Sequence, residues 1–348
     1  MNVSEFDFAL PPELIAQFPS ADRGGSRLLV LDRAAGTWSH TMVAQLPAIL
    51  RSSDLLVLND TRVFPARLLG HRVPSGGAVE CLLVGHLEGD RWEALMHPGQ
   101  KLKPGARVRF ERAGGTLEAE ILERKFHGRR VVRLWREDGG DVDHAIEAIG
   151  HVPLPPYIKR ADEPLDRERY QTVYARASGS VAAPTAGLHL SDALLDELRQ
   201  HGVERAHVTL HIGYGTFKPV RTERVEDHVV DSEWTEIGED AAAAINRAKD
   251  EGRRVIAVGT TTTRTLESAG REGNGHVAAD SGATNLFIHP GFTFHVVDAL
   301  LTNFHLPRSS LLMLVAAFAG RELVLAAYRD AVAQGYRFYS YGDAMLVV

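Results

Sequence analysis

Cysteine is nearly absent, with Cys81 the one thiol in 348 residues. A lone thiol excludes an intrachain disulfide and any zinc cluster built on Cys, and it suits a reducing cytosol. Long apolar runs are missing too. The longest, at positions 311–319, has nine residues, about half of the ~18 to 20 that a membrane-crossing helix requires, and reads as a core helix. No basic patch followed by an apolar stretch opens the chain, so no secretory leader is expected. The chain is read as cytoplasmic, with no membrane association. There is no G-x-G-x-x-G, no Gly-Lys-Ser/Thr ending of a phosphate loop and no H-E-x-x-H. These absences speak against a dinucleotide site, a Walker nucleotide site and a zincin.

What is present is an ordinary globular composition, 44% apolar and 24% charged, which leaves little room for a mostly disordered chain. Charge is unevenly placed. Positions 101–136 hold eleven Lys or Arg and four Glu, hence +7, and the remainder carries (−6) − (+7) = −13. This basic island lies within a run of short strands: ARLLGHRV, AVECLLVGHL, RWEALM, ARVRF, TLEAEILERKF and RRVVRLW. Turn residues such as Pro98-Gly99, Pro104-Gly105 and Gly114-Gly115 separate them, a pattern that suggests a small antiparallel barrel.

The flanking segments differ in kind. Residues 28–32, 54–60, 206–213 and 253–261 are nearly continuous apolar strands, as expected where helices cover both faces of a sheet. Ser191 can cap a helix that stops at Gly202, and a second runs from Glu239 to Lys249 before Gly252. The fold expected is an α/β main domain, a mixed sheet covered by helices, with an inserted small antiparallel β-barrel. Residues 1–63 and 152–348 form the discontinuous main domain in this reading, and 64–151 the insertion.

Five stretches could carry chemistry. Gly259, Thr260, Thr261, Thr262, Thr263 and Arg264 open a helix after a strand, where unpaired N–H groups suit a carboxylate or phosphate; a Thr cap without ligand is the plain alternative. The small-residue segment 179–190 offers Ser180, Thr185 and His189 as polar anchors. Beside it Tyr170 and Tyr174, four apart in an expected helix over 166–176, would share one face, for stacking or simply for core packing. TLHIGYGTF (209–217) is a strand that ends in glycines, and TNFHLPRSS (302–310) places Asn303 and His305 before an apolar helix. There are sixteen His in all, but no ligand pair at metal spacing, so no metal is expected.

These stretches, together with LVLNDTRVFPARL (56–68), GHVPLPPYIKR (150–160), ERYQTVYA (168–175), DALLTNFHLPRSSLLMLVAAFAG (298–320) and YSYGDAM (339–345), resemble the signature blocks of the S-adenosylmethionine:tRNA ribosyltransferase-isomerases, the queuosine-pathway enzymes of bacteria. The resemblance runs the length of the chain. Two departures stand out: Leu190 occupies a position that is usually Phe, and the stretch Asp227-His228-Val229-Val230-Asp231-Ser232-Glu233 has Asp231 where the family has a second His. The resemblance implies an α/β domain with an inserted barrel. It also implies transfer and isomerisation of the ribosyl part of S-adenosylmethionine, a co-substrate, onto 7-aminomethyl-7-deazaguanine in the tRNA anticodon, with release of adenine and methionine.

That chemistry needs a base for the acidified ribose proton, an acid for the departing adenine and an uncharged amine. His189, His211, His305 and Asp60 form the expected acid/base set. Gly259 to Thr262 with Arg264 would hold the methionine carboxylate, and Tyr170, Tyr174, Ser180 and Thr185 would complete the cofactor site. The RNA footprint expected is Lys101, Lys103, Arg107, Arg109, Arg124, Lys125, Arg129, Arg130 and Arg133, although charged strands also protect sheet edges. A methyltransferase and a noncatalytic tRNA-binding protein are the alternatives. Monomer is the default state.

Overall fold

A computed structural model describes residues 1–217, 219–270 and 275–348. Up to residue 63 the chain contributes strands β1 (Arg27–Asp32), β2 (Thr37–Met42), β3 (Leu55–Asn59) and β4 (Thr61–Val63). There follow β5 (Arg67–Val73), β6 (Ala78–His86), β7 (Arg91–His97), β8 (Arg107–Arg112), β9 (Gly115–Arg124) and β10 (Arg129–Trp135). The remainder supplies β11 (Ala177–Ser180), β12 (Glu204–Leu210), β13 (Glu233–Ile237), β14 (Val255–Val258), β15 (Asp280–Thr284), β16 (Ala299–Asn303) and β17 (Ala344–Val347).

Nine strands make one mixed sheet in the order β15-β13-β12-β3-β14-β16-β17-β1-β2. The neighbours β12, β3, β14 and β16 are parallel, while β17 returns antiparallel to β16. Both sheet faces are covered, which is why the strands read as continuous apolar runs. Leu55 and Val57 of β3 pack with the helices Glu239–Asp250, Thr260–Gly270, Ser310–Ala319 and Arg321–Ala333. Leu56 and Leu58, on the opposite face, pack with Leu46 and with Leu194, Leu195 and Leu198 of the helix Asp192–Gln200. Ser191 caps that helix as expected, its Oγ accepting from the Leu194 N–H at 3.2 Å.

The six strands β5 to β10 close into an antiparallel barrel, ordered β10-β7-β6-β5-β8-β9. Alternation does the work. Val108 and Phe110 point inward while Arg107 stays exposed. A helix not foreseen in the sequence, Val142–Ile149, joins the barrel core through Ala145, Ile146 and Ile149. Cys81 is buried within that core, and desolvation pushes its thiol up to about 12.

One expected element is largely missing. The helix foreseen over 166–176 is a single turn, Asp166–Arg169. Tertiary packing stops it, because Tyr170 is drawn into a cluster with Tyr341, Val63 and Ile158, while Tyr174 packs with Leu58 and Leu190. One helix face cannot serve both clusters. Among the described residues no single helix is long and apolar enough to cross a membrane.

Candidate functional site

The parallel strands β12, β14 and β16 end on one side of the sheet, and the loops that follow enclose a cavity of about 490 Å³. Such a crevice beyond the carboxyl ends of parallel strands is where ligands bind in open α/β sheets. Its wall comes from segments far apart in the chain: Tyr157, Tyr170, Ala182–Ala186, Ile212, Gly259–Thr261, Thr302–Asn303, His305–Leu311 and Tyr339–Ser340. No Asp or Glu stands among the described lining residues.

Gly259 makes the turn out of β14. Its φ of +93° is one that an L side chain resists, and the helix Thr260–Gly270 starts at the next residue. Gly259, Thr260 and Thr261 line the cavity, so the positive end of an eleven-residue helix borders it. Thr262 belongs to the interior instead. It is fully buried, and its hydroxyl donates to the Val258 carbonyl at 2.7 Å. Asn59 of β3 braces this turn by donating from Nδ2 to Thr261 Oγ1 at 3.2 Å.

The four acid/base candidates separate. His305 lines the cavity, is buried, and pairs through Nε2 with Thr302 Oγ1 at 2.8 Å; burial lowers its pKa to about 3. Its imidazole is therefore uncharged at neutral pH. His189 sits behind the wall, likewise pushed down to about 4 by burial. Asn303 Nδ2 donates to His189 Nε2 at 3.1 Å and to the Tyr339 carbonyl at 3.0 Å. His211 and Asp60 are not among the cavity-lining residues. His211 pairs with Thr61 Oγ1 at 2.8 Å and stacks on Trp234, and burial lowers its pKa. Asp60 is buried in an ion pair with Arg176 at 2.7 Å and accepts from Thr209 Oγ1 at 2.6 Å.

Arg264 stands apart from the helix N-terminus. Five residues into the chain after Gly259, it faces a smaller pocket of about 50 Å³ that shares Thr216, Ser310 and Leu311 with the large one. There it is paired with the buried Glu233 and donates from Nε to the Leu286 carbonyl at 2.9 Å; its second terminal nitrogen has no hydrogen-bond partner. Glu233 also accepts from the Gly213 N–H at 2.9 Å and Thr216 Oγ1 at 3.0 Å. His228 borders the same pocket, edge-on to Phe287. Lys218, within the GYGTFKPV block, lies outside the described residues.

Of the remaining cofactor-site expectations, Tyr170 and Thr185 line the cavity. Ser180 and Tyr174 do not. The Ser180 hydroxyl is used inside the fold, donating to the Ala182 carbonyl at 2.7 Å and accepting from the Ile212 N–H at 2.9 Å. The Tyr174 hydroxyl packs so closely on Gly187 that a Cβ there would fall 2.0 Å from it. Tyr157 and Tyr339 line the cavity without having been foreseen as site residues, and Asn303, noted in the sequence beside His305, had been given no role there. The two tyrosine rings meet at 3.8 Å on the wall. Tyr339 and Arg308, both lining it, adopt positive φ values of 74° and 57°, unusual for non-glycine residues and common at functional sites.

The basic island is less open than its charge suggests. Arg130 is 1% exposed and donates to the backbone carbonyls of Leu102, Arg129 and Gly99, so it holds the barrel rather than facing solvent. Arg109 is paired with Glu118 and Glu137, Arg129 with Glu93 and Asp231, Lys125 with Glu93 and Arg133 with Glu120. Lys101, Lys103, Arg107 and Arg124 are exposed and have no ion pair among the described residues. Paired strands place acids beside the bases: Arg107 faces Glu120 and Arg109 faces Glu118 across β8 and β9.

No group of three His, Cys, Asp or Glu placed to hold a metal occurs among the described residues. Residues 3–347 match a family model described as queuosine biosynthesis protein. Proteins named S-adenosylmethionine:tRNA ribosyltransferase-isomerase are 53% identical in Heliobacterium modesticaldum and 50% identical in Halothermothrix orenii, each over the full length of both chains. The crystal structure of an S-adenosylmethionine tRNA ribosyltransferase from Thermotoga maritima is 36% identical, with a TM-score of 0.56, and the match covers 99% of this chain and 100% of that one. On a match that spans nearly every residue, including every segment of the cavity wall, the chain belongs to the queuosine biosynthesis protein family.

Proposed function

We propose that the chain acts as its relatives are named, as an S-adenosylmethionine:tRNA ribosyltransferase-isomerase. In this reading it moves the ribosyl group of S-adenosylmethionine onto 7-aminomethyl-7-deazaguanine at the wobble position and yields epoxyqueuosine, adenine and methionine. The observation that carries the reading is the cavity at the strand ends, where a helix N-terminus, three tyrosines and a neutral buried His305 converge. A volume of about 490 Å³ lies within the range of sites that enclose a nucleoside-sized ligand.

His305, as free base, removes the C5′ proton that the sulfonium acidifies, with Thr302 Oγ1 on its Nε2 fixing the ring. The amine attacks as the uncharged species, adenine departs with the electrons of its glycosidic bond and takes up a proton, and methionine leaves with the electrons of the carbon–sulfur bond. Because a sulfonium cation ends as neutral methionine, each turnover releases one proton. Thr260 and Thr261 N–H groups bind the methionine carboxylate, with the unpartnered nitrogen of Arg264 in the adjoining pocket as the second contact.

The tRNA approaches over the barrel through Lys101, Lys103, Arg107 and Arg124. The division into 1–63 with 152–348 and 64–151, a monomeric state and action in the cytosol belong to the same reading; light scattering of the purified protein checks the monomer. Incubation with S-adenosylmethionine and tRNA bearing the aminomethyl base tests the function. Mass spectrometry should show the added epoxycyclopentane unit and one free adenine per modified tRNA. A methylated tRNA, or a tRNA of unchanged mass with no adenine released, overturns it.

A further inference from the structure

Asn303 carries an orphan in the wall of the large cavity. The residue is 2% exposed and lines the cavity, yet its Oδ1 has no hydrogen-bond partner. A buried amide oxygen left unpaired costs free energy, and fully enclosed polar groups are nearly always satisfied.

The amide cannot relieve this by turning over. Its Nδ2 lies 3.0 Å from the Tyr339 carbonyl, a group that only accepts, and 3.1 Å from His189 Nε2. A flip would set two carbonyl oxygens against each other. His189 is neutral where it is buried, so its Nε2 accepts and the ring proton sits on Nδ1. The direction of Oδ1 is thus held by two acceptors, the Tyr339 carbonyl and His189 Nε2, the second on a residue that does not itself line the cavity.

We infer that Asn303 Oδ1 accepts a hydrogen bond from the exocyclic amino group of the adenine of S-adenosylmethionine, and that His189 is the positioning residue that aims it. The inference rests on the reading of this cavity as the S-adenosylmethionine site. A neutral amide oxygen matches a neutral N–H. A cationic ammonium in the same place would find no carboxylate among the described lining residues. The adjacent rings of Tyr157 and Tyr339, tilted at 37° to each other, give the wall an aromatic surface, and the Tyr339 backbone carbonyl holds the Asn303 amide.

Calorimetric binding of S-adenosylmethionine and of S-inosylmethionine, in which a carbonyl oxygen replaces the amino group, is the test. Wild-type protein should favour the adenine form by roughly 10- to 100-fold, the usual consequence of facing a buried acceptor with another acceptor. Asn303→Ala should weaken the adenine form by a similar factor and bring the two ligands to within about threefold. His189→Leu should also collapse the ratio, whereas His189→Gln, whose side-chain oxygen can accept from Nδ2, should restore it; a merely structural role for His189 would leave the ratio unmoved. Equal binding of both ligands by wild-type protein overturns the inference without any variant, as does a ratio kept intact in Asn303→Ala. Should wild-type protein bind neither, the assignment of the cavity falls and the inference falls with it.

Discussion

Arg129 of the barrel and Asp231 of the loop before β13 are 3.1 Å apart, joined although 102 positions separate them in the chain. Asp231, one of the two positions read in the sequence as departing from the resemblance, here meets a barrel arginine at the rim of the Arg264 pocket. Both side chains are about one-third exposed. The coupling energy of this pair, read from a double-mutant cycle of Arg129→Ala and Asp231→Ala in urea denaturation, should therefore be less than about 1 kcal/mol. A larger coupling would mean that the contact holds the two parts together.

The pH dependence of stability follows from His189 and His305. Both have folded pKa values below the ordinary histidine value of 6.5, at about 4 and about 3, because burial disfavours the imidazolium. The unfolded chain binds more protons between those values and 6.5, so their contribution is complete above pH 6.5 and is lost as pH falls toward 4. Each should cost roughly 1.5 kcal/mol between pH 6.5 and 5. Denaturation curves of wild type and His189→Gln over that range measure it, and identical pH slopes would remove His189 from the account.

Catalysis should separate His305 from Asp60. His305→Ala should slow adenine release by about 10²- to 10⁴-fold, the range for loss of a general base. Asp60→Asn, away from the cavity wall and paired with Arg176, should act mainly through stability. If the two variants were equally inactive yet equally folded, the base would have to be sought elsewhere.

Arg264 and Glu233 form a buried pair, with 10% and 4% of their side chains exposed. Arg264→Leu strands the carboxylate and should cost about 3 to 5 kcal/mol. Arg264→Lys, which keeps the charge, should fold better and raise the S-adenosylmethionine KM. An unchanged KM would discard the carboxylate contact.

On the barrel, replacing Lys101, Lys103, Arg107 and Arg124 by Ser should weaken tRNA binding and reduce the slope of log K against log salt by about 3. Arg130→Ala should leave that slope alone. Its guanidinium satisfies one buried and two part-buried backbone carbonyls, and its removal should instead cost roughly 1 to 3 kcal/mol of stability.

Much of the fold is legible in the chain because its periodicities are local. The six barrel strands and the apolar strands β1, β3, β12 and β14 stand where alternation and continuous burial place them. The turn at Gly259 is legible for the same reason, since a glycine and hydroxyl run after an apolar strand is a local signal. The helix over 166–176 is the counterexample: its local pattern is outweighed by two separate clusters that claim Tyr170 and Tyr174. Arg130 misleads similarly, since charge counts along a sequence do not distinguish an inward strand position closed by carbonyls from an outward one.

Amino-acid order alone determined the covered sheet, the barrel and the blocks that mark the family, because strand alternation, apolar runs and motif spacing are properties of neighbours along a chain. Tertiary structure decided which polar groups share the cavity. Asn303 joins His189 across 114 positions, and His305 reaches the cavity wall while His211 and Asp60 are spent on Thr61 and Arg176. A hydrogen bond depends on distance and direction in space, and burial depends on everything packed around a group; neither is written in sequence separation.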